Sequence, residues 1–382
     1  MVQSLSKESS TEMVKLGRTL LASYAYDNVD IDLKHATPTG DALEDTLVHL
    51  TSGTMIRLDH GVTPNMLACS EFLWRKCKHN PDALPEDIPR GTSYLDLLDI
   101  YPEDEHVSGL TRRQRFGAWA FLRDLIAHGP PYFQQFRRRL AYPETMDAIP
   151  VKRSRQVPCR MMNINPSTTI NNVSVLEDLF RQGGVGDTSE TNQLGAVNVG
   201  DHVILVHGDL LTGERIQSLQ ESRSEESTPW RCFQFVVYVM GLFHLKMACA
   251  DAVWRMFIQP SKAKGMQGVK RESINSLMSH VSIIRPKETL KIETKPGFRR
   301  VHEIIEHVGI VSRLDCWRLE ATRRAGRVLT LEDFARSEPQ WEDLEAMANQ
   351  LVQEQVASFE TFSNLRTSPT GIRDCERENL LL

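Results

Sequence analysis

The chain has no C-x-x-C pair, and its seven cysteines (69, 77, 159, 232, 249, 316 and 375) are scattered and odd in number. That pattern excludes a disulfide framework or a cysteine-rich zinc site and suits reduced thiols inside a cell. No apolar run is long. The longest, Phe235–Phe243, has nine residues with a glycine inside, far short of the ~20 that span a bilayer. The opening MVQSLSKESSTEM lacks the apolar centre of a signal peptide. An intracellular protein with no membrane segment is expected, nucleus or cytoplasm left open, so the sequon at Asn172-Val173-Ser174 has no reason to be glycosylated. There is no internal repeat and no heptad run long enough for a coiled coil. The glycine run Gly183-Gly184-Val185-Gly186 is followed by no Lys-Ser/Thr and preceded by no strand, which excludes a phosphate loop or dinucleotide fingerprint.

What is present is an ordinary globular composition, 41% apolar and 25% charged over 382 residues, enough for two or three compact units. The net charge of −5 conceals an asymmetry. Between Thr111 and Arg155 ten Lys/Arg face three Asp/Glu, while the remainder is acidic.

Periodicity then places the elements. Tyr24–Leu33 alternates Val29, Ile31 and Leu33 with Asp30 and Asp32, as a strand does. Thr111–His128 is helical with Phe116, Trp119, Ala120 and Leu122 or Arg123 as its repeating face, Gly129 as C-cap and Pro130-Pro131 as stop. Phe133–Ala141 reads as a short arginine-rich helix. Ser174-x-x-Glu177 is a capping box opening a helix to Gln182, and Gly184–Gly195 a flexible polar loop. Val203–Val206 and Phe233–Val239 have strand character with a helix, Leu210–Ser224, between them. Leu242–Ile258 is apolar nearly all round, which predicts a buried helix. Pro286–Pro296 alternates like a basic edge strand. Helices follow, with a capping box at Thr330-x-x-Asp333 and a long helix from Glu338 to about Phe362. The expected fold is α/β and α-rich: an N-terminal helix or tail over 1–23, a mixed-sheet α/β core over 24–310 with a helical, arginine-rich insertion around 65–155, and a helical region over 311–382. The final Asn379-Leu-Leu-Leu382 reads as the opening of a further apolar element, hence as a truncated C-terminus.

Four groups of residues could carry chemistry, and each has a plainer reading. His207-Gly208-Asp209 ends an apolar strand, where α/β folds place metal and phosphate chemistry; Asp209 equally suits the N-cap of the helix that follows. Asp27, Asp30 and Asp32 offer the carboxylates that divalent-metal phosphoryl transfer needs, or simply the charges that protect an edge strand. On Leu242–Ile258, Asp251 and Arg255 read as an i,i+4 pair, and His244 as a core histidine or a ligand. Arginines 112, 113, 115, 123 and 137–139 interleave with Phe116, Trp119, Phe121, Tyr132, Phe133 and Phe136. Such a mixture builds sequence-tolerant nucleic-acid grooves, or, with its rings buried, a solvated basic face. His302-Glu303-x-x-Glu306-His307 is not a zinc helix, because a five-residue spacing sets its histidines about 140° apart.

The run Tyr26-Asp27-Asn28-Val29-Asp30 and the blocks HGDLLTGERI, GLFHLKMACADAVWR, RPKETLKIETKPGFRRVHEIIEHVGI and LDCWRLEA resemble an uncharacterised fungal family, domain of unknown function 6589 (DUF6589), from about Tyr24 to Leu382. The resemblance implies a relative of mobile elements, transposase-like, with a ribonuclease-H-like core. In that superfamily acids from the first strand, the fourth strand and a later helix bind two Mg²⁺ ions. Asp27 would match the first and Asp209 the second, with the third missing from this chain. Mg²⁺ or Mn²⁺ is then the expected cofactor of a catalytic form. DNA or RNA is the expected partner, and Arg112, Arg113, Arg137, Arg138 and Arg139 are its expected contacts. The other expectation is a non-catalytic scaffold or protein-binding module.

Overall fold

The structure, a computed structural model, describes residues 2–32, 47–89, 106–145, 149–188, 195–258 and 278–356. It divides the chain into two units, Met1–Tyr94 with Ile149–Leu245, and Leu95–Ala148 with Lys246–Leu382. Leu33, residues 189–194 of the expected polar loop, the last helix beyond 356 and Asn379–Leu382 lie outside the described residues.

The first unit is a mixed α/β fold built on a five-stranded sheet of order β3-β2-β1-β6-β7. Ala22–Asp32 (β1) pairs antiparallel with Leu47–Arg57 (β2), and β2 with Gln156–Pro158 (β3). On the other side of β1, Ile204–Gly208 (β6) and then Val236–Met240 (β7) run parallel to it. A separate parallel pair joins Val185–Gly186 (β4), at the start of the stretch expected to be a loop, to Val197–Asn198 (β5), just beyond it. Helices Val2–Gly17 (α1), Thr169–Gln182 (α5) and Leu210–Ser222 (α6) accompany the sheet, with short helices at Pro64–Leu67 (α2) and Ser70–Arg75 (α3).

The apolar spacing of α5 explains its place: Val173, Leu176, Leu179 and Phe180 fall on one stripe and are buried against Tyr24, Met55 and Phe235. Each such side chain contributes roughly 1.5–3 kcal/mol. Helix α1 can approach α5 only because Gly17 and Gly183 meet; a Cβ on Gly17 would lie 2.2 Å from the Gly183 carbonyl oxygen. The expected capping box at Ser174 is wrong. The helix opens earlier, where Thr168 accepts the Asn171 N–H at 3.2 Å, because Asn172 and Val173 are themselves buried in the core.

The second unit is helical. Arg112–His128 (α4) carries a capping box at Thr111 and ends at Gly129. A 3₁₀ turn at Pro131–Arg138 follows it. Later come Met278–Ile284 (α8), Thr289–Thr294 (α9), Phe298–Ala325 (α10), Leu331–Arg336 (α11) and Trp341–Gln355 (α12). Its main core joins Phe121, Leu125, Phe133, Trp317, Leu344 and Leu351. Gly117 allows α4 and α12 to cross closely, since a Cβ there would meet Val352 at 2.4 Å.

Three sequence expectations fail here. The buried face of α4 is Ala118, Phe121, Leu122, Leu125 and Ile126, not the Phe116/Trp119 stripe; both faces carry rings, so spacing alone does not choose between them. Pro286–Pro296 is helical over Thr289–Thr294, because one turn of helix buries Ile292, and the Leu290/Ile292 alternation is too short to set a strand. Leu242–Val253 (α7) is a helix whose only buried side chain is Ala250. An apolar composition states what exposure costs, not that a neighbour arrives to cover it.

Candidate active site at the carboxyl edge of the sheet

The register Tyr24↔Val206 and Ala25↔His207 sets the first half of β1 beside the carboxyl end of β6. Two residues further along the chain from that pairing stand Asp27, within β1, and Asp209, just past the end of β6. Both line one cleft of about 280 Å³, together with Ser52, Thr54, His207 and His244. Period two puts Asp27 on the sheet face opposite to Asp30 and Asp32, and Asp30 is engaged by His49 at 2.7 Å. Of the three early aspartates, only Asp27 belongs to the cleft.

Each carboxylate is fixed from below. Tyr26, the residue before Asp27, is buried and donates its hydroxyl to Asn172 Oδ1 at 2.7 Å. Burial pushes that phenol far above its ordinary value, so it remains a donor. Asp27 Oδ1 accepts the Asn28 N–H at 2.9 Å. Asp209 is the N-cap of α6 and accepts the Thr212 N–H at 2.7 Å, as its plainer reading anticipates. Its backbone is locked by Tyr238, whose hydroxyl donates to the Asp209 carbonyl at 2.6 Å. Burial and then the Asp209 charge raise the Tyr238 phenol. Gly208 must be glycine, because a Cβ would come within 2.5 Å of Thr212. Neither carboxylate has an arginine, lysine or histidine partner among the described residues. Burial pulls His207 below its ordinary value, which favours the neutral imidazole.

Oxygen donors of this kind match a hard divalent ion. Among the described residues, however, no three His, Cys, Asp or Glu side chains gather so that they could hold a metal ion. Asp251 and Arg255 pair at 2.6 Å as expected, on an exposed surface. In the His302–His307 segment, Glu303 is taken by Arg285 and Arg299.

The model of a family of unknown function, DUF6589, matches residues 90–382. The chain belongs to this family. The DUF6589 match takes in Asp209 and His244 but not β1 and Asp27. No curated protein and no solved structure matches the chain.

The expected nucleic-acid contacts all lie in the helical unit and divide in two. Arg113, Arg137 and Arg138 are exposed and make no ion pair among the described residues. Arg112 lies beside Glu144 at 3.3 Å, and Arg139 pairs with Glu342 at 2.7 Å. Sequence reasoning missed Glu144 altogether and left His244 undecided. The signal for His244 was its position three residues after Gly241, where β7 gives way to α7. No helix among the described residues is long and apolar enough to cross a membrane.

Proposed function

We propose that the sheet unit is a ribonuclease-H-like, nucleic-acid-binding core in which Asp27 and Asp209 hold a Mg²⁺ or Mn²⁺ ion. The observation that carries this reading is positional. In chain order β6 is the fourth strand of the five-stranded sheet, yet it lies parallel beside the first, with the two carboxylates opening on one cleft. A core that uses acids from its first and fourth strands needs that adjacency. Mg²⁺ commonly takes one or two carboxylates and completes its shell with water and substrate phosphate. Two donors therefore suit one ion and do not by themselves build a two-ion centre. When bound, such an ion polarises a phosphoryl oxygen and activates water, the chemistry of phosphodiester cleavage or strand transfer. The chain's own part is to hold two anionic oxygens rigidly. Tyr26 and Asn172 fix β1, while Tyr238 and Thr212 fix the turn at Asp209. Exposed Arg113, Arg137 and Arg138 supply unpaired charge for phosphates.

The test is Mg²⁺- or Mn²⁺-dependent nicking of labelled DNA and RNA by the full chain. Asparagine caps a helix as well as aspartate does, so Asp209→Asn keeps the fold and removes a charged ligand. Activity should fall at least about 100-fold, the upper range for losing even an outer-shell partner of a metal. Undiminished metal-dependent activity in that variant would sink the assignment.

A further inference from the structure

A second cleft, of about 830 Å³, lies entirely within the helical unit. Its floor is α4, from which Arg112, Arg115, Phe116 and Trp119 line it at helical spacing beside the edge of the core at Ala118 and Leu122. Phe116 and Trp119 stack with centroids 5.6 Å apart and planes 28° from parallel. Arg123 covers Trp119 at 5.1 Å. The stack thus ends on Phe116, which is 56% exposed, and Tyr142 on the same cleft is 96% exposed. Large rings left open to water in one place mark a binding surface.

The charged part of the cleft is already assembled. Arg115 donates to the Leu110 carbonyl at 2.8 Å, which aims its guanidinium independently of any anion. Into that guanidinium, and towards Arg112, the chain inserts its own carboxylate, Glu144. Arginine forks receive carboxylate and phosphate in the same bidentate geometry. Glu144 stands on the non-helical stretch after the 3₁₀ turn and is itself exposed, so a competing anion can displace it without opening the core.

We propose that this cleft binds single-stranded nucleic acid, with a base stacked on Phe116 and a phosphate taking the place of Glu144 at Arg115 and Arg112. The proposal rests on the nucleic-acid reading above and adds where the strand sits and in which form. Alternating rings and guanidiniums suit unpaired bases, whose faces are free, whereas a duplex offers only phosphates and groove edges. Glu144 then acts as an internal competitor that lowers affinity until a strand displaces it.

The experiment is fluorescence anisotropy of the full chain with a labelled oligonucleotide of about 12 residues, single-stranded or as a duplex, at about 50 and about 200 mM salt. The single strand should bind more tightly than the duplex. Glu144→Gln should tighten binding about fivefold, and Phe116→Ala should weaken it at least about fivefold, the scale of one lost base stack. Phe116→Tyr keeps the ring and should stay within about twofold of the parent, which separates stacking from damage to the fold. Equal binding by the parent and Phe116→Ala, no gain in Glu144→Gln, or a preference for duplex overturns the proposal. If binding persists and only Arg137→Ala with Arg138→Ala weakens it, the cleft is wrong and the broader reading stands. If neither oligonucleotide binds at low salt, both fall.

Discussion

The acidic residues of the helical core and those of the sheet cleft are treated in opposite ways. In the helical unit the buried Asp124 is held by Arg313 at 2.6 Å and by Arg123 at 2.7 Å. Nearly buried Glu320 is held by Arg323 and Arg324 at 2.7 and 2.6 Å. At the sheet cleft, the Asp27 and Asp209 carboxylates have only backbone N–H partners among the described residues. A carboxylate that serves the fold brings its cation with it, because burying an unpaired charge is costly. Asp27 is exposed and Asp209 partly buried, so water can meet their charge and the fold demands no cation beside either.

That contrast can be broken at several points. The largest effect is expected from Arg313→Ala, which strips one of two cations from fully buried Asp124. A loss of about 3 kcal/mol follows, the lower end for opening a buried pair because Arg123 remains; urea unfolding measures it. Asp209→Ala removes the cap of α6 and should cost about 1 kcal/mol, whereas Asp209→Asn should cost almost nothing. If both variants unfold alike, the carboxylate matters to the fold in a way the contrast denies. Acid gives the smallest effect. Burial acts to raise Glu320, but its bonds to Arg323 and Arg324 outweigh burial and hold it below its ordinary 4.5. Its contribution is therefore complete above about that pH and fades as pH falls through the depressed value. Thermal midpoints should decline on acidification in the parent and decline less in Glu320→Gln.

Much of the fold was legible because local signals agreed with one another. The two-residue period of β1, the Gly129 stop of α4, the capping box at Thr330 and the aspartate cap at Asp209 all correspond to what forms. The errors have a common source in surfaces whose burial depends on distant partners. Helix α4 has rings on both faces, and Leu344 and Leu351 of α12, far along the chain, select the one bearing Phe121 and Leu125. Helix α7 looks like core by composition but is almost entirely exposed. At the site, Asp209 was visible as a residue at a strand end. Asp27 was visible as one of three early aspartates, and only the family resemblance singled it out as a partner of Asp209, since nothing local shows that β6 inserts beside β1. Nor does any local pattern reveal Tyr26 reaching Asn172, or Glu144 closing on Arg112 and Arg115. These are pairings of residues remote in sequence, settled by packing.

The central claim is that the Asp27–Asp209 cleft is kept for a cation. Titration calorimetry of Mn²⁺ into the full chain, the Asp27→Asn variant and the Asp209→Asn variant addresses it most directly. The account predicts one saturable site in the parent, weakened at least about 100-fold in each variant, with thermal midpoints in the absence of metal unchanged. A parent that takes up no Mn²⁺, or variants that bind it as tightly as the parent, would contradict it.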